Sequence, residues 1–161
     1  WDKDHMMIKV NILALTALTR LFLNDFVKRN AGRILNVSST ASLPPGGPLQ
    51  AVYFATKAYV TSFSYGVAEE LANTNVTITA LLPGATNTEF AKTAHAEKIP
   101  MFKHAFSARR VAEDGYFAML KGNLSVISGL TFMQKIMIAA IPFVPKRMLL
   151  KQMKRMQEVK T

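Results

Sequence analysis

The segments "RILNVSS" (residues 33–39) and "VYFATKAYV" (residues 52–60) flank "LPPGGP" (residues 43–48). The first is short, apolar and β-branched, and it ends on polar residues, which is the pattern of a buried strand. The Pro/Gly segment can only be loop. The third opens a long helix that the spacing places from about Leu49 to Ala72. Tyr53 and Lys57 stand four residues apart in that helix and share a face. Any two such neighbours do, so the surrounding chain decides whether the pair has a function.

Upstream, Ile8, Ile12, Leu15, Leu18, Phe22 and Phe26 recur at helical spacing between Met6 and Val27. Asn30-Ala31-Gly32 closes that helix, with Gly32 suited to a left-handed cap. Downstream, "VTITALLPG" (76–84) reads as a second buried strand stopped by Pro83-Gly84. Ser107 offers an N-cap to a third helix with Ala108, Val111, Ala112, Gly115, Ala118 and Met119 on one face, and "LSVISG" (124–129) reads as a third strand. Strands alternating with helices of this length imply right-handed crossovers, hence an α/β fold with a parallel sheet. Ligands of such sheets bind beyond the carboxyl ends of the strands. Chemistry is therefore expected at "NVSS" and "LLPGATNT".

The 161 residues are half hydrophobic, enough for one core, and this composition argues against disorder. The absence of cysteine excludes disulfides and thiolate metal sites. The net charge of +10 is concentrated at one end: Lys146, Arg147, Lys151, Lys154, Arg155 and Lys160 face a single acid, Glu158. Without a basic stripe interleaved with aromatics, no nucleic-acid partner is expected. His5, His95 and His104 show no ligand spacing, so no metal is expected, and the nine methionines suggest adaptable packing. The start, "WDKDHMMIKV", lacks a signal-peptide pattern and has no strand before its first helix, so it reads as the middle of a longer chain. No uninterrupted apolar stretch of about 18 residues occurs, so no membrane-spanning helix is expected.

Ser38 and Ser39 end the first strand, and Tyr53 follows Ser39 by 14 residues, a span taken up by the loop. The helix start can therefore return to the strand end. A phenol with a pKa of about 10 exchanges protons poorly at neutral pH. A nearby ammonium favours the phenolate and moves the group toward general acid–base work. A hydroxyl such as that of Ser39 can hold a substrate oxygen beside the phenol. Such a trio suits a carbonyl oxygen that gains or loses a proton while hydride moves at carbon. Taken singly, each residue is better explained structurally, Ser39 as a cap of the helix or turn and Lys57 as a snorkelling side chain.

In order and spacing, "ILNVSSTAS", "YFATK" and "LLPGATNTEF" resemble the short-chain dehydrogenase/reductase family. The resemblance implies a Rossmann-like doubly wound parallel sheet, of which this chain carries the carboxyl-terminal portion only. It implies that Tyr53 is the catalytic acid/base, that Ser39 orients the substrate carbonyl, and that Lys57 lowers the tyrosine's pKa and binds the nicotinamide ribose. Asn11 in "VNILA" matches the family's fourth member, which holds a proton-relay water; a purely structural amide is the alternative. With Tyr53 and Lys57, the residues Pro83, Gly84, Thr86 and Thr88 would cradle NAD or NADP, with NADP slightly favoured.

The family's glycine-rich phosphate loop has no counterpart, since none of the eight glycines has that spacing. The resulting expectation is a partial catalytic domain over residues 1–129, a substrate lid at about 86–106, and a hydrophobic and basic helical extension over 130–161. The expected partners are a small carbonyl or alcohol substrate of lipophilic character and a second copy of the chain. The expected location is cytoplasmic; the tail reads first as a terminal helix packed over the substrate cleft or a partner subunit, and second as a helix in peripheral membrane contact. A different reading remains: an inactive truncated relative that serves as an interaction or membrane-surface module.

Overall fold

The computed structural model describes residues 1–89 and 105–157. The first helix runs as α1 (Asp2–Ile8), a π-helical segment (Lys9–Ala14) and α2 (Leu15–Lys28). Then come β1 (Gly32–Val37), a 3₁₀ turn (Thr40–Ser42), α3 (Ala51–Glu70) and β2 (Val76–Pro83). The short pair β3 (Thr86–Asn87) and β4 (Phe106–Ser107) precedes α4 (Ala108–Leu120) and β5 (Ser125–Ser128). The chain continues through α5 (Phe132–Ala140), a 3₁₀ turn (Ile141–Phe143) and α6 (Lys146–Gln157).

The main sheet has the order β1-β2-β5, and both of its ladders are parallel, as the alternation of strands and helices requires. Gly32 pairs with Val76 and Val37 with Leu81, so the carboxyl ends of β1 and β2 lie side by side. Successive residues serve opposite faces. On one face, Ile34 and Ile78 pack with Leu23 and Phe26 of α2 and with Val67 and Leu71 at the end of α3, and Asn36 donates to Ser64 of α3 at 3.0 Å. On the other, Leu35 and Leu81 meet α4 at Gly115, and Thr79 donates to the Asn123 carbonyl at 2.6 Å. The expected lid falls mostly outside the described residues; its flanks, β3 and β4, pair in parallel.

Three details differ from the sequence expectation. The left-handed residue after the first helix is Asn30 (φ 48), not Gly32. A side chain at Gly32 would run into the Phe26 ring, so that glycine answers to close packing. Asn30 also accepts from the Asn75 backbone N–H at 2.8 Å, tying the helix exit to the turn before β2. Asn30→Ala, which loses that bond and strains φ, should cost about 1 kcal/mol in a denaturant melt.

The second detail is Ser107, which occupies the N-cap position of α4 without a side-chain capping bond. The third is the 27-residue helix Asp2–Lys28, which is long and apolar enough to cross a membrane by length and composition alone. Asn11, Thr16, Thr19 and Arg20 interrupt every apolar run, yet the mean hydropathy of an 18-residue window still reaches 1.6. Two of its polar side chains meet protein: Asn11 and Thr16 hydrogen-bond Thr56 and Tyr59 of α3.

Candidate active site

β1 hands its chain over at Ser38, whose N–H continues the ladder to the Leu81 carbonyl at 2.8 Å. Ser39, fully extended, caps the following 3₁₀ turn by accepting from the Ala41 N–H at 3.1 Å. Its hydroxyl also reaches the Pro83 carbonyl at 3.5 Å, and Thr40 donates to the same oxygen at 3.2 Å. The ends of β1 and β2 are thus stitched together at the place where α3 returns.

Tyr53 and Lys57 stand on successive turns of α3 beside these ends. The side chain of Ser39 hydrogen-bonds the Tyr53 phenol, so capping and site roles coexist in one serine. Burial pushes the Tyr53 pKa above its ordinary value near 10, and the Ser39 bond pulls against that rise. Burial draws the Lys57 pKa below its ordinary value, and the ammonium donates to the Val37 carbonyl at 3.1 Å. The expected lowering of the phenol by Lys57 does not enter this shift, in which burial dominates and the Ser39 bond opposes it; the lysine is engaged at the end of β1. Ser39→Ala should push Tyr53 still higher, read as the phenolate absorbance lost in Tyr53→Phe during an alkaline titration.

Asn11 lies within the π-helical segment, a geometry frequent at functional sites. Its amide donates to Thr56 Oγ1 at 3.1 Å, and that hydroxyl donates to the Tyr53 carbonyl at 2.9 Å. Asn11 therefore meets the helix between Tyr53 and Lys57 and braces the backbone there. Two supports escaped the sequence reading. Buried Ser38 donates to the Lys57 carbonyl at 2.8 Å and shares a 2.6 Å bond with Thr61 Oγ1. With the serine proton committed to the carbonyl, Thr61 supplies the donor. The available signal was Thr61 lying four residues after Lys57 on one helix face.

The loop after β2 splits by residue. Pro83 joins the cluster through its carbonyl. Gly84 donates to the Ser128 carbonyl at 2.8 Å, and a side chain on it would strike the Gly129 oxygen. The close approach at this glycine is to β5, not to open space over the site. Thr86 turns its hydroxyl onto the Gly84 carbonyl at 2.9 Å, and Thr88 is exposed at the loop's far end. Phenol, ammonium and hydroxyl donors converging at two strand ends fit a nicotinamide ribose. The sequence offers no glycine-rich cradle for a diphosphate. No group of three or more His, Cys, Asp or Glu able to hold a metal occurs among the described residues.

A groove of about 440 Å³ runs beside α3, lined by Pro44, Pro45, Gly47, Phe54, Ala58 and Leu150 among others. Phe54 and Ala58 each follow Tyr53 and Lys57 by one residue, about 100° further round α3, and the Phe54 ring lies edge-on to the Tyr53 ring with centroids 6.0 Å apart, so this groove adjoins the cluster.

The family model for short chain dehydrogenases matches residues 2–99. The chain is 41% identical over 88 residues to the uncharacterized oxidoreductase YvrD of Bacillus subtilis, covering 55% of this chain and 33% of that protein. It is 40% identical over 86 residues to the very-long-chain 3-oxoacyl-CoA reductase of Rattus norvegicus, covering 53% of this chain and 27% of the rat protein. The chain thus spans about a third of the length of these curated relatives. Its fold is similar to that of a Burkholderia cenocepacia short chain dehydrogenase solved in complex with NADP. The TM-score is 0.75 at 23% identity, over 93% of this chain and 58% of the other.

Proposed function

The chain belongs to the short-chain dehydrogenase/reductase family, and from that premise we propose that the protein interconverts a carbonyl and an alcohol by hydride transfer with a nicotinamide cofactor. The observation that carries this reading is the Ser39 hydrogen bond to the Tyr53 phenol, with Lys57 one turn further along α3. Hydride chemistry at the substrate carbon belongs to the bound nicotinamide. The chain's own residues handle the oxygen. Tyr53, protonated at neutral pH, gives its proton to the carbonyl oxygen in reduction and recovers it in oxidation. Ser39 holds that oxygen within reach of the phenol. Lys57 binds the ribose and supplies positive charge beside Tyr53, and Asn11 braces the turn between them through Thr56. Pro83, Gly84, Thr86 and Thr88 border the nicotinamide end.

NADP is the preferred cofactor in this reading, supported by the NADP complex of the Burkholderia relative. The substrate is a lipophilic carbonyl compound, supported by the very-long-chain acyl substrate named for the rat relative. Residues 1–129 form part of the catalytic domain. A second copy is the partner for the first helix, where Leu18, Leu21 and Phe22 are exposed.

Fluorescence titration with NADPH and NADH tests the reading, on this chain and on the chain extended upstream by its own coding sequence. Binding with carbonyl reduction in the extended protein supports it, with NADPH bound more tightly. An extended protein that neither binds nor reduces makes the Tyr53/Lys57 pair a relic and leaves an interaction module.

A further inference from the structure

The carboxyl-terminal helices present a surface that the proposed reaction does not use. In α5, Phe132, Met133, Ile136, Met137 and Ala140 fall on one face by their spacing. That face points outward: Phe132 is 78% exposed, and Met133, Ile136 and Met137 are each about half exposed or more. Phe143, in the turn that follows, is 87% exposed. A water-soluble surface helix covers its apolar face; here that face is open, and only Ile138 of α5 is partly covered.

Beyond Pro145, α6 carries Arg147, Lys151 and Arg155 on a single exposed face, with Leu149 and Met153 on the other side. Leu150 sits in the groove between the Pro44–Pro48 loop and α3, which anchors α6 to the body of the protein. From Leu130 to Gln157 the chain has six basic residues (Lys135, Lys146, Arg147, Lys151, Lys154 and Arg155) and no acid.

We propose that α5, the Phe143 turn and α6 form a docking surface for the anionic face of a phospholipid bilayer. The apolar run Phe132–Phe143 is too short to span a bilayer. It has the length and the flanking cations of a helix that lies in the interface. The exposed phenyl, isoleucyl and methionyl groups enter the headgroup–acyl boundary, and the guanidinium and ammonium groups of α6 meet lipid phosphates. Charge complementarity selects this occupant. A second copy of the chain would set six cations against six, and a nucleic acid offers no apolar phase for Phe132, Ile136 and Phe143.

Flotation of the full chain with vesicles tests the proposal, using phosphatidylcholine alone and phosphatidylcholine mixed with phosphatidylglycerol, at low and high salt. Binding is expected to the mixed vesicles at low salt and to weaken at high salt. Arg147→Gln/Lys151→Gln/Arg155→Gln should lower partitioning about fivefold per charge. Phe132→Ser/Ile136→Ser should lower it by roughly tenfold or more. Both substituted apolar side chains and all three substituted cations are exposed, and circular dichroism of each variant checks that the fold is kept. Equal binding to both vesicle types, no binding to either, or full binding by either variant overturns the proposal. So does a dimer in light scattering that Phe132→Ser/Ile136→Ser dissolves while vesicle binding is absent.

Discussion

Tyr53→Phe is expected to lower kcat for carbonyl reduction by about 10²–10⁴-fold, the range supplied by a positioned general acid, while nicotinamide binding is kept. The phenyl ring fills the same volume, so α3 and its contacts stay in place; only the proton donor and the Ser39 hydrogen bond are lost. The pH dependence follows from the direction of the shift. Burial raises the Tyr53 pKa above its ordinary value, so the protonated form dominates across neutral pH. Reduction, which needs that proton, should hold steady in this range and fall as pH rises through the phenol's pKa. Oxidation, which needs the phenolate, should rise over the same interval. The residual activity of Tyr53→Phe should lose both limbs. Initial rates in each direction across a pH series check this. A variant with wild-type kcat, or one that keeps the alkaline limbs, removes Tyr53 from the proton path.

Sequence reading recovers the three strands because each is a short, nearly continuous apolar run, the form that burial on both faces demands. The helix expected over Leu49–Ala72 is found over Ala51–Glu70, two residues shorter at each end. What escapes that reading depends on distant partners. Asn30 and Gly32 can both adopt a left-handed backbone, and the choice falls to Asn30 through a bond to Asn75, 45 residues away. The π-helical segment around Asn11 leaves the apolar spacing from Ile8 to Leu15 intact, so no local pattern marks it. The positions of Ser39, Tyr53 and Lys57 were legible as a constellation. The sign of the tyrosine's shift was not, because it turns on how deeply the packed structure buries the phenol and on where the Lys57 ammonium finds its acceptor. That acceptor is the Val37 carbonyl, 20 residues back along the chain.

Gly84→Ala is expected to destabilise the fold by about 1–3 kcal/mol, the usual cost of overpacking. The backbone conformation is not the obstacle: Gly84 does not have the positive φ found at Gly122 and Gly129. The obstacle is space. A methyl group at this position meets the Gly129 carbonyl oxygen first and the Leu130 side chain next. A side chain can rotate away, but the carbonyl is fixed where β2 and β5 exit together. There, Pro83 pairs with Ser128 and the Gly84 N–H donates to the Ser128 carbonyl at 2.8 Å. Relief requires the two exits to part, and that movement carries Pro83, whose carbonyl accepts from Ser39 and Thr40. Lost stability should therefore come with lost activity, as Ser39 drifts from the phenol it positions. Gly66 provides the contrast. It lies within α3 with nothing near the place a methyl group would occupy, so Gly66→Ala should stabilise by roughly 0.5–1 kcal/mol through helix propensity alone. Denaturant midpoints of the two variants should move in opposite directions from wild type. A Gly84→Ala midpoint at or above the wild-type value would mean that the strand exits do not approach as closely as they do here, and the brace between β5 and Ser39 would fall with it.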